Sequence, residues 1–366
     1  MASEKIVELN MGPQHPSTHG VLRLMLKIKG DTIMDSTAHI GYLHRCIEKL
    51  HEKRHYMWCI PLTNRMDYVA ALHSEHLFVQ AVEKLMNIEP SERSQYVRVI
   101  LLELQRIASH LVAIGSYGLD LGQMTTWFWC FKEREIILTL MEEVTGGRLF
   151  HNEVRLGGLK NDLPKGWTEK CLSMLTYLDK KWKDYGKFIE NELFFKRTKG
   201  IGVVSKKDAM DWGMHGPSLR GSGWNLDVRR YAPYSVYDKL DFDVPVKDEG
   251  DSLARYRVRW EEVVQSIRIV RQAIKNLPQG PTEGLRSLYF TKPVTPGEVY
   301  VINEQAKGEA GVYLVSDGTS KPYRAKYKTP SFCNTALLPK IIVGHKIADI
   351  VAIIGSLDPV FGEVDR

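Results

Sequence analysis

The stretch that decides the fold is DSLARYRVRWEEVVQSIRIVRQAIKNLP, residues 251–278. Its apolar residues recur in steps of three and four, a spacing that places them on one face of an α-helix. They are Leu253, Tyr256, Trp260, Val263, Ile267, Val270 and Ile274. Asp251 or Ser252 can cap the helix, and Pro278 ends it. So long an apolar seam has to be buried against a partner helix, and the stretch therefore predicts a helical bundle.

Four earlier segments have the same helical spacing and complete the predicted bundle. They cover about 66–85, 91–116, 127–145 and 168–192. The first has a possible N-cap at Thr63-Asn64, which places Tyr68 in the first turn of that helix. The second starts at Ser91 and is apolar along nearly all of one side, so we expect it to be the central helix.

Both ends of the chain show strand patterns instead. Residues with alternating polarity predict antiparallel strands at 5–10, 21–28 and 32–39, and later at 298–303, 311–315 and 322–328. A short run at 57–62 is also strand-like, and a single helix is expected at 340–354. The predicted class is α+β: a mainly α-helical bundle with a small N-terminal antiparallel β-sheet and a C-terminal extension. We expect an N-terminal β/α domain at 1–60, the bundle at 61–280, and a β-hairpin and helix extension at 281–366 folded back over it.

The composition describes an ordinary globular protein, since 43% of its 366 residues are hydrophobic and 26% are charged. The net charge of +6 is spread along the chain without a Lys/Arg block, so nucleic acid is not an expected partner. The N-terminal stretch MASEKIVELN has no apolar or Arg-rich leader, and no apolar run approaches the length of a bilayer span. The cysteines contain no CxxC pair and predict neither a disulfide framework nor a metal cradle; they are Cys46, Cys59, Cys130, Cys171 and Cys333.

One motif favours a different class, a zinc peptidase. His51-Glu52-Lys53-Arg54-His55 fits HExxH, which on a helix places two imidazoles on one face for zinc. Three features argue against a zinc site. Two cations lie between the two histidines, a strand-like run follows the motif, and no third ligand is present in the pattern. We keep zinc binding through His51 and His55 as a remote alternative and predict no metal held by this chain.

A second histidine pair lies in NMGPQHPSTHGVLRL, residues 10–24. His15 and His19 are four residues apart, but Pro13 and Pro16 prevent a helix between them. Metal binding, proton transfer and simple turn formation are all compatible with such a stiff loop.

Several motifs, in order along the chain, resemble one family. They are GPQHPSTHGVLRLML, HIGYLHR, NRMDYVAALHSE, LRGSG, DFDVPV, KGEAGVYLVSDG and ADIVAIIGSLDPVFGEVDR. The family is the D subunit of NADH:quinone oxidoreductase, respiratory complex I, with its chloroplast and cyanobacterial counterpart. It is related to the large subunit of nickel–iron hydrogenases, so the resemblance implies a hydrogenase-large-subunit-like fold.

The sulfur ligands of the hydrogenases are missing here. Their RxCGxC motif corresponds to residues 65–70, RMDYVA, and their DPCxxC motif to residues 358–363, DPVFGE. Nickel and iron need those thiolates, so the resemblance implies a cavity without a metal that binds a quinone headgroup instead.

The resemblance also assigns roles to single residues. His19 and Tyr68 would hydrogen-bond the quinone carbonyls and supply protons, with Val360 also at the quinone. Imidazole and phenol suit that chemistry, and His15 is expected to brace the loop. Asp120 would be the carboxylate partner of His19, although its place at a helix end also suits a plain cap. His19, Tyr68 and Asp120 are thus the predicted catalytic residues.

Two arginines and an aromatic residue are implied near the neighbouring iron–sulfur cluster. Arg45 and Arg65 would lie between cavity and cluster, or form structural ion pairs. Phe150 stands where many family members have a histidine, with His151 one residue later. We therefore predict that the midpoint potential of the cluster is low and does not vary with pH. Such a cluster would feed a low-potential quinone such as menaquinone or plastoquinone.

The implied protein is a peripheral subunit of a proton-pumping complex, on the cytoplasmic or stromal face of a bacterial or thylakoid membrane. It would hold no cofactor itself and would reduce quinone with electrons from a cluster in the B subunit. Its other expected contacts are the C and I subunits and the membrane-embedded H subunit. The electron donor is left open. The alternative is a cofactor-free scaffold in a related hydrogenase-like or ferredoxin-linked complex.

Overall fold

A computed structural model describes residues 5–15, 19–284 and 293–366. The strands are β1 (Ile6–Met11), β2 (Gln14–His15), β3 (Gly20–Val21), β4 (Arg23–Lys29), β5 (Thr32–His39), β6 (Val154–Arg155), β7 (Gly158–Leu159), β8 (Gly297–Gln305), β9 (Gly308–Ser316) and β10 (Arg324–Lys328). The helices are α1 (Ile47–His51), α2 (Tyr56–Thr63), α3 (Ala71–Met86), α4 (Glu92–Asp120), α5 (Met124–Thr145), α6 (Trp167–Ile189), α7 (Glu192–Thr198), α8 (Lys206–Asp211), α9 (Gly216–Arg220), α10 (Val228–Tyr231), α11 (Ser252–Lys275), α12 (Pro330–Ala336), α13 (Leu338–Ile341), α14 (Asp349–Leu357) and α15 (Phe361–Asp365). A short 3₁₀ helix covers Tyr237–Lys239.

The bundle is organised around α4, which packs against α5, α11 and α14. Both α4 and α11 begin at side-chain caps. Ser91 Oγ accepts a hydrogen bond from the Ser94 amide at 3.2 Å, and Asp251 Oδ1 accepts one from Ala254 at 2.8 Å. The seam of α11 is buried from Leu253 to Val270 apart from a half-buried Trp260. The partner helix that the sequence requires for this seam is α4.

The prediction was wrong between residues 56 and 70. The strand-like run is helix α2, and the next helix begins at Ala71 rather than near 66. Residues 56–63 are mostly buried and mostly apolar. Their sequence therefore lacks the regular spacing of polar residues that distinguishes a helix from a strand. Residues 64–70 form a turn in which Asp67 Oδ1 accepts hydrogen bonds from the amides of Val69 and Ala70, each at 3.2 Å. Tyr68 therefore lies in this turn, not in a helix.

The single helix predicted at 340–354 was also wrong. The structure has two helices there, α13 and α14, and the segment between them contains Gly344 with a φ of +84°. Such a φ interrupts a right-handed helix. The amide of Gly344 donates to the Ile33 carbonyl at 2.8 Å, so the interruption connects this segment to β5.

Two three-stranded antiparallel sheets flank the bundle, in the orders β1-β4-β5 and β8-β9-β10. One hydrophobic core joins the bundle to the second sheet. Another joins the first sheet to α13, α14 and α15. The chain is therefore mixed α+β, as predicted, whereas the division into three domains stays a prediction. In the part of the chain that the structure describes, no helix is long and apolar enough to span a bilayer.

Candidate functional site

His19 and Asp120 form an ion pair at one end of the bundle. His19 Nε2 lies 2.5 Å from Asp120 Oδ2, and both side chains are mostly buried. Asp120 is the last residue of α4, and His19 directly precedes β3, whose Gly20 pairs with His15 of β2. The backbone of His19 has a φ of +55°, a conformation that the surrounding loop has to maintain. The imidazole is thus held on a rigid helix end.

The pair packs against the segment 355–362. A Cβ atom at Gly355 would lie 3.3 Å from His19 Nε2 and 2.7 Å from the Tyr117 ring. A Cβ atom at Gly20 would lie 2.7 Å from the ring of Phe361, and Gly20 has a φ of +144°. Because both glycines permit a close approach that any side chain would prevent, His19 and Gly20 pack tightly on this segment.

Tyr68 contacts the other end of the same segment. A Cβ atom at Gly362 would lie 3.1 Å from Tyr68 Cδ1 and 2.5 Å from the Met66 carbonyl oxygen. Tyr68 is half-buried, and burial raises the pKa of its phenol. The carboxylates of Asp67 and Asp358 raise that pKa further, against the cations Lys307 and Arg45. Segment 355–362 is therefore the surface that His19 and Tyr68 share, and the buried Val360 lies within it.

The residues predicted near the cluster are only partly brought together. The Arg65 guanidinium lies 4.2 Å from the centre of the Phe150 ring, a cation–π contact. Arg45 donates to the carbonyl oxygens of Arg65 and Gly362, the latter at 3.2 Å. These three side chains thus border the turn that contains Tyr68, and the two arginines bond carbonyl oxygens.

His151 is directed into the fold instead. Its Nδ1 lies 2.9 Å from the Gly147 carbonyl oxygen and 3.2 Å from Thr145 Oγ1. Burial lowers the pKa of His151 to about 4, so the ring is neutral at physiological pH.

The two histidines of HEKRH have separate partners. His51 Nδ1 lies 2.7 Å from the Ile47 carbonyl, and its Nε2 lies 3.0 Å from the Tyr327 hydroxyl. His55 directly precedes α2, and its Nδ1 lies 3.0 Å from Ser320 Oγ. Among residues 5–15, 19–284 and 293–366, no group of three or more His, Cys, Asp or Glu side chains is arranged to bind a metal ion. The geometry gives no support to the zinc alternative.

Sequence reasoning missed a buried charge cluster beside Tyr68. Lys307 Nζ lies 3.4 Å from Asp67 Oδ2, 3.6 Å from Asp358 Oδ2 and 3.0 Å from Ser109 Oγ. Burial alone would lower the pKa of Lys307, but Asp358 and Asp67 outweigh it and hold the pKa above its usual value. A possible signal was present, because Lys307 is a charge in a tight turn between two apolar strands.

A second charge network lies deeper in the bundle. Glu103 bonds Arg106, Arg229, Tyr237 and Ser266. Burial would raise the pKa of Glu103, yet the two arginines lower it to about 2. The network consists of polar residues in an otherwise apolar interior, which explains why it could not be predicted from hydrophobic spacing alone.

Comparison with known proteins places this chain in a respiratory-chain class. Residues 120–293 and 286–366 match the family model described as respiratory-chain NADH dehydrogenase, 49 Kd subunit. The NADH-quinone oxidoreductase D subunit of Geobacillus kaustophilus is 46% identical over 98% of this chain and 97% of its own. Those of Citrifermentans bemidjiense and Carboxydothermus hydrogenoformans are 47% and 45% identical, each over the full length of both chains. The chain belongs to the family of NADH-quinone oxidoreductase D subunits and is part of that complex.

Proposed function

We propose that this chain forms the quinone site of the complex and protonates the quinone as it is reduced. The observation that carries the proposal is that His19 and Tyr68 both pack against segment 355–362. An imidazole and a phenol at the two ends of one short segment can donate hydrogen bonds to the two carbonyls of one headgroup. Val360, within that segment, supplies an apolar contact for the ring.

The relation to hydrogenases supports the location of this site. Residues 65–70 and 358–363 are the counterparts of the two cysteine motifs that hold nickel and iron in those enzymes. Here the two segments touch, since Gly362 packs on the Met66 carbonyl and Lys307 bridges Asp67 and Asp358. We infer a hydrogenase-like cavity in which a lysine and carboxylates have replaced the metal and thiolates.

Reduction of a quinone to a quinol takes up two electrons and two protons. The electrons come from an iron–sulfur cluster in a neighbouring subunit, and this chain supplies the protons. The His19 imidazolium gives one proton, and the Tyr68 phenol gives the other. Asp120 Oδ2 lies 2.5 Å from His19 Nε2 and holds the imidazole in place. After the transfer Asp120 is left as a carboxylate beside a neutral ring, and this change of charge is the signal passed towards the proton-pumping membrane arm.

Arg45, Arg65 and Phe150 mark the side from which electrons enter. Fixed positive charge between cluster and quinone raises the cluster's affinity for an electron. Phe150 cannot be protonated, and His151 stays neutral with its Nδ1 bound to Gly147. We therefore propose a cluster whose potential does not vary with pH and which feeds a low-potential quinone.

In the complex, the chain is a peripheral subunit at the cytoplasmic or stromal membrane face. Its proposed neighbours are the cluster-bearing B subunit, the C and I subunits, and the membrane-embedded H subunit.

Tyr68→Phe in the assembled complex tests the proposal. The ring and its packing on Gly362 are kept, and only the hydroxyl is lost. We expect quinone reduction to fall about a hundredfold, as for loss of one general acid, with reduction of a hydrophilic artificial acceptor by the upstream subunits unchanged. Wild-type quinone reduction by this variant would favour the scaffold alternative. The control is Phe128→Tyr, which exchanges the same two residue types on an exposed face of α5.

A further inference from the structure

Glu363 lies next to the segment that packs on Tyr68 and has an incomplete set of hydrogen bonds. It is in α15, it is 1% exposed, and it follows Gly362, at which an added Cβ would lie 3.1 Å from the Tyr68 ring. Its Oε1 accepts a hydrogen bond from the Ser331 amide at 2.9 Å. Its Oε2 is buried, and within the described part of the chain it has no hydrogen-bond partner. A buried carboxylate whose donors belong to Ser331 alone is unfavourable, whereas a protonated carboxyl fits this environment.

The surrounding charges also favour a proton at this position. Asp67 from the turn before α3, Lys307 from the β8–β9 turn and Cys333 from α12 interact electrostatically with Glu363. The titratable and charged groups next to Asp67 and Lys307 are Tyr68, Asp358 from the end of α14, Arg259 from α11 and Arg45 from the loop before α1. Arg45 is exposed, so water screens its charge.

Counting the charged groups of this cluster, without the exposed Arg45, shows one carboxyl in excess. The cations are Lys307 and Arg259, and the carboxyls are Asp67, Asp358 and Glu363. Asp67 and Asp358 both lie within 4 Å of Lys307 Nζ, whereas no cation lies within that distance of Glu363 in the described residues. One proton on Glu363 makes the cluster neutral. Consistent with this, burial raises the pKa of Glu363 to about 8, and the charge of Asp67 adds to the effect against Lys307.

We propose that Glu363 stores the proton that restores Tyr68 after each quinone reduction, a role that rests on the proposed function. When the quinol leaves, Tyr68 is a phenolate. The Glu363 carboxyl gives its proton to the Asp67 carboxylate, and Asp67 passes a proton to the phenolate. Glu363 is then a carboxylate, Tyr68 is a phenol again, and Asp67 is unchanged. Lys307 and Arg259 stabilise the extra negative charge until Glu363 takes a proton from solvent.

Asp67 connects Glu363 to Tyr68 in this route. Asp67 is the neighbour of Tyr68 in the chain, its Oδ2 is the atom that faces Lys307, and its charge acts on both the Tyr68 phenol and the Glu363 carboxyl. Glu363 acts through Asp67 and does not touch the quinone, so it is a proton-supplying residue and not one that binds the substrate.

Glu363→Gln in the purified, assembled complex tests this inference. The amide keeps the shape and neutrality of the protonated side chain but cannot release a proton. NADH:quinone reduction is measured from about pH 6 to about pH 9.5, a range that brackets the titration of Glu363, together with the amount of this chain in the complex. The wild type should lose activity as the pH rises through about 8. In the variant we expect a rate about ten- to a hundredfold lower at neutral pH and no such alkaline decline.

The matched control is Glu153→Gln. Glu153 is also fully buried, burial raises its pKa to about 7, and it bonds Asn161 rather than the cluster beside Tyr68. This variant should keep the wild-type rate and alkaline decline. If Glu363→Gln keeps both, the inference is overturned.

Glu363→Asp covers the case in which the glutamine variant does not assemble. The aspartate retains a proton-releasing group, so its alkaline decline should be present but displaced along the pH axis, and an undisplaced decline would overturn the inference. A rate loss in Tyr68→Phe combined with wild-type behaviour of Glu363→Gln would reject the proton store alone. Wild-type rates in both variants would reject the quinone-site proposal itself.

Discussion

His19, in the loop before β3, and Asp120, at the end of α4, are separated by a hundred residues of sequence and meet at 2.5 Å. The α4 helix ends there because Gly122 follows with a φ of +87°, and its last carboxylate is left free to point at the imidazole. The pair joins the proposed proton donor to the longest helix of the bundle.

Replacing Asp120 by Asn should weaken proton donation by His19. The amide lacks the negative charge that faces His19 Nε2, so we expect quinone reduction to fall about tenfold to a hundredfold. Steady-state rates in the assembled complex measure the effect. Asp162→Asn removes the carboxylate of a more exposed pair with Arg93 and should leave the rate unchanged. Equal rates for both variants and the wild type would remove Asp120 from the mechanism.

Gly362→Ala should disturb Tyr68 without replacing any titratable group. The added Cβ would lie 2.5 Å from the Met66 carbonyl and 3.1 Å from the Tyr68 ring, so the turn at 64–70 must move. We expect a loss of quinone reduction together with about 1–3 kcal/mol of stability. Rates and thermal retention of the chain in the complex report the two effects. Gly166→Ala is the control, since it has a φ of +78° but open space around the new Cβ; it should lose stability alone.

The buried Glu103 network makes a prediction about acid stability. The pKa of Glu103 is about 2 in the fold and near 4.5 when exposed, so its contribution is complete above pH 4.5 and is lost as the pH falls towards 2. Glu103→Gln removes the carboxylate that pairs with buried Arg106 and one of the two that pair with Arg229, and should cost about 3–5 kcal/mol at neutral pH. Thermal ramps between about pH 3 and about pH 7 measure both effects. Glu143→Gln, which breaks a largely exposed pair with Lys170, should change stability little, and an equal loss in the two variants would contradict the account.

Phe150 predicts how the neighbouring cluster responds to pH. In the wild type, the cluster's midpoint potential should be constant from about pH 6 to about pH 8, the range in which a histidine would titrate. Phe150→His introduces a protonatable ring beside Arg65, and the midpoint should then vary by up to about 59 mV per pH unit. Phe150→Leu should remain pH-independent. A midpoint that varies clearly with pH in the wild type would contradict the assignment.

The helices with clear caps and seams were predictable from sequence. The apolar spacing of residues 253–274 required a partner helix, and the caps at Ser91 and Asp251 marked the starts of α4 and α11. The turn at 64–70 was not predictable, because the apolar stripe that continues through Met66 conceals hydrogen bonds made by the Asp67 side chain. Local spacing cannot show such side-chain bonds to the backbone.

The residues of the site were also only partly predictable from the sequence. His19, Tyr68 and Asp120 were expected from family resemblance, and the structure shows which surfaces hold them. Lys307 and Glu363 escaped notice because their partners are distant in sequence: the lysine is in a hairpin turn and meets Asp67 and Asp358 only in the folded chain. Buried charges of this kind are recognisable only once their counter-charges are located.

The most direct test of the central claim is a structure of the assembled complex with a short-chain quinone bound. The account predicts that one carbonyl oxygen lies within about 3 Å of His19 Nε2 and the other within about 3 Å of the Tyr68 hydroxyl, with the ring over segment 355–362. A headgroup bound away from this segment, or two side chains too far apart to reach the same ring, would contradict it.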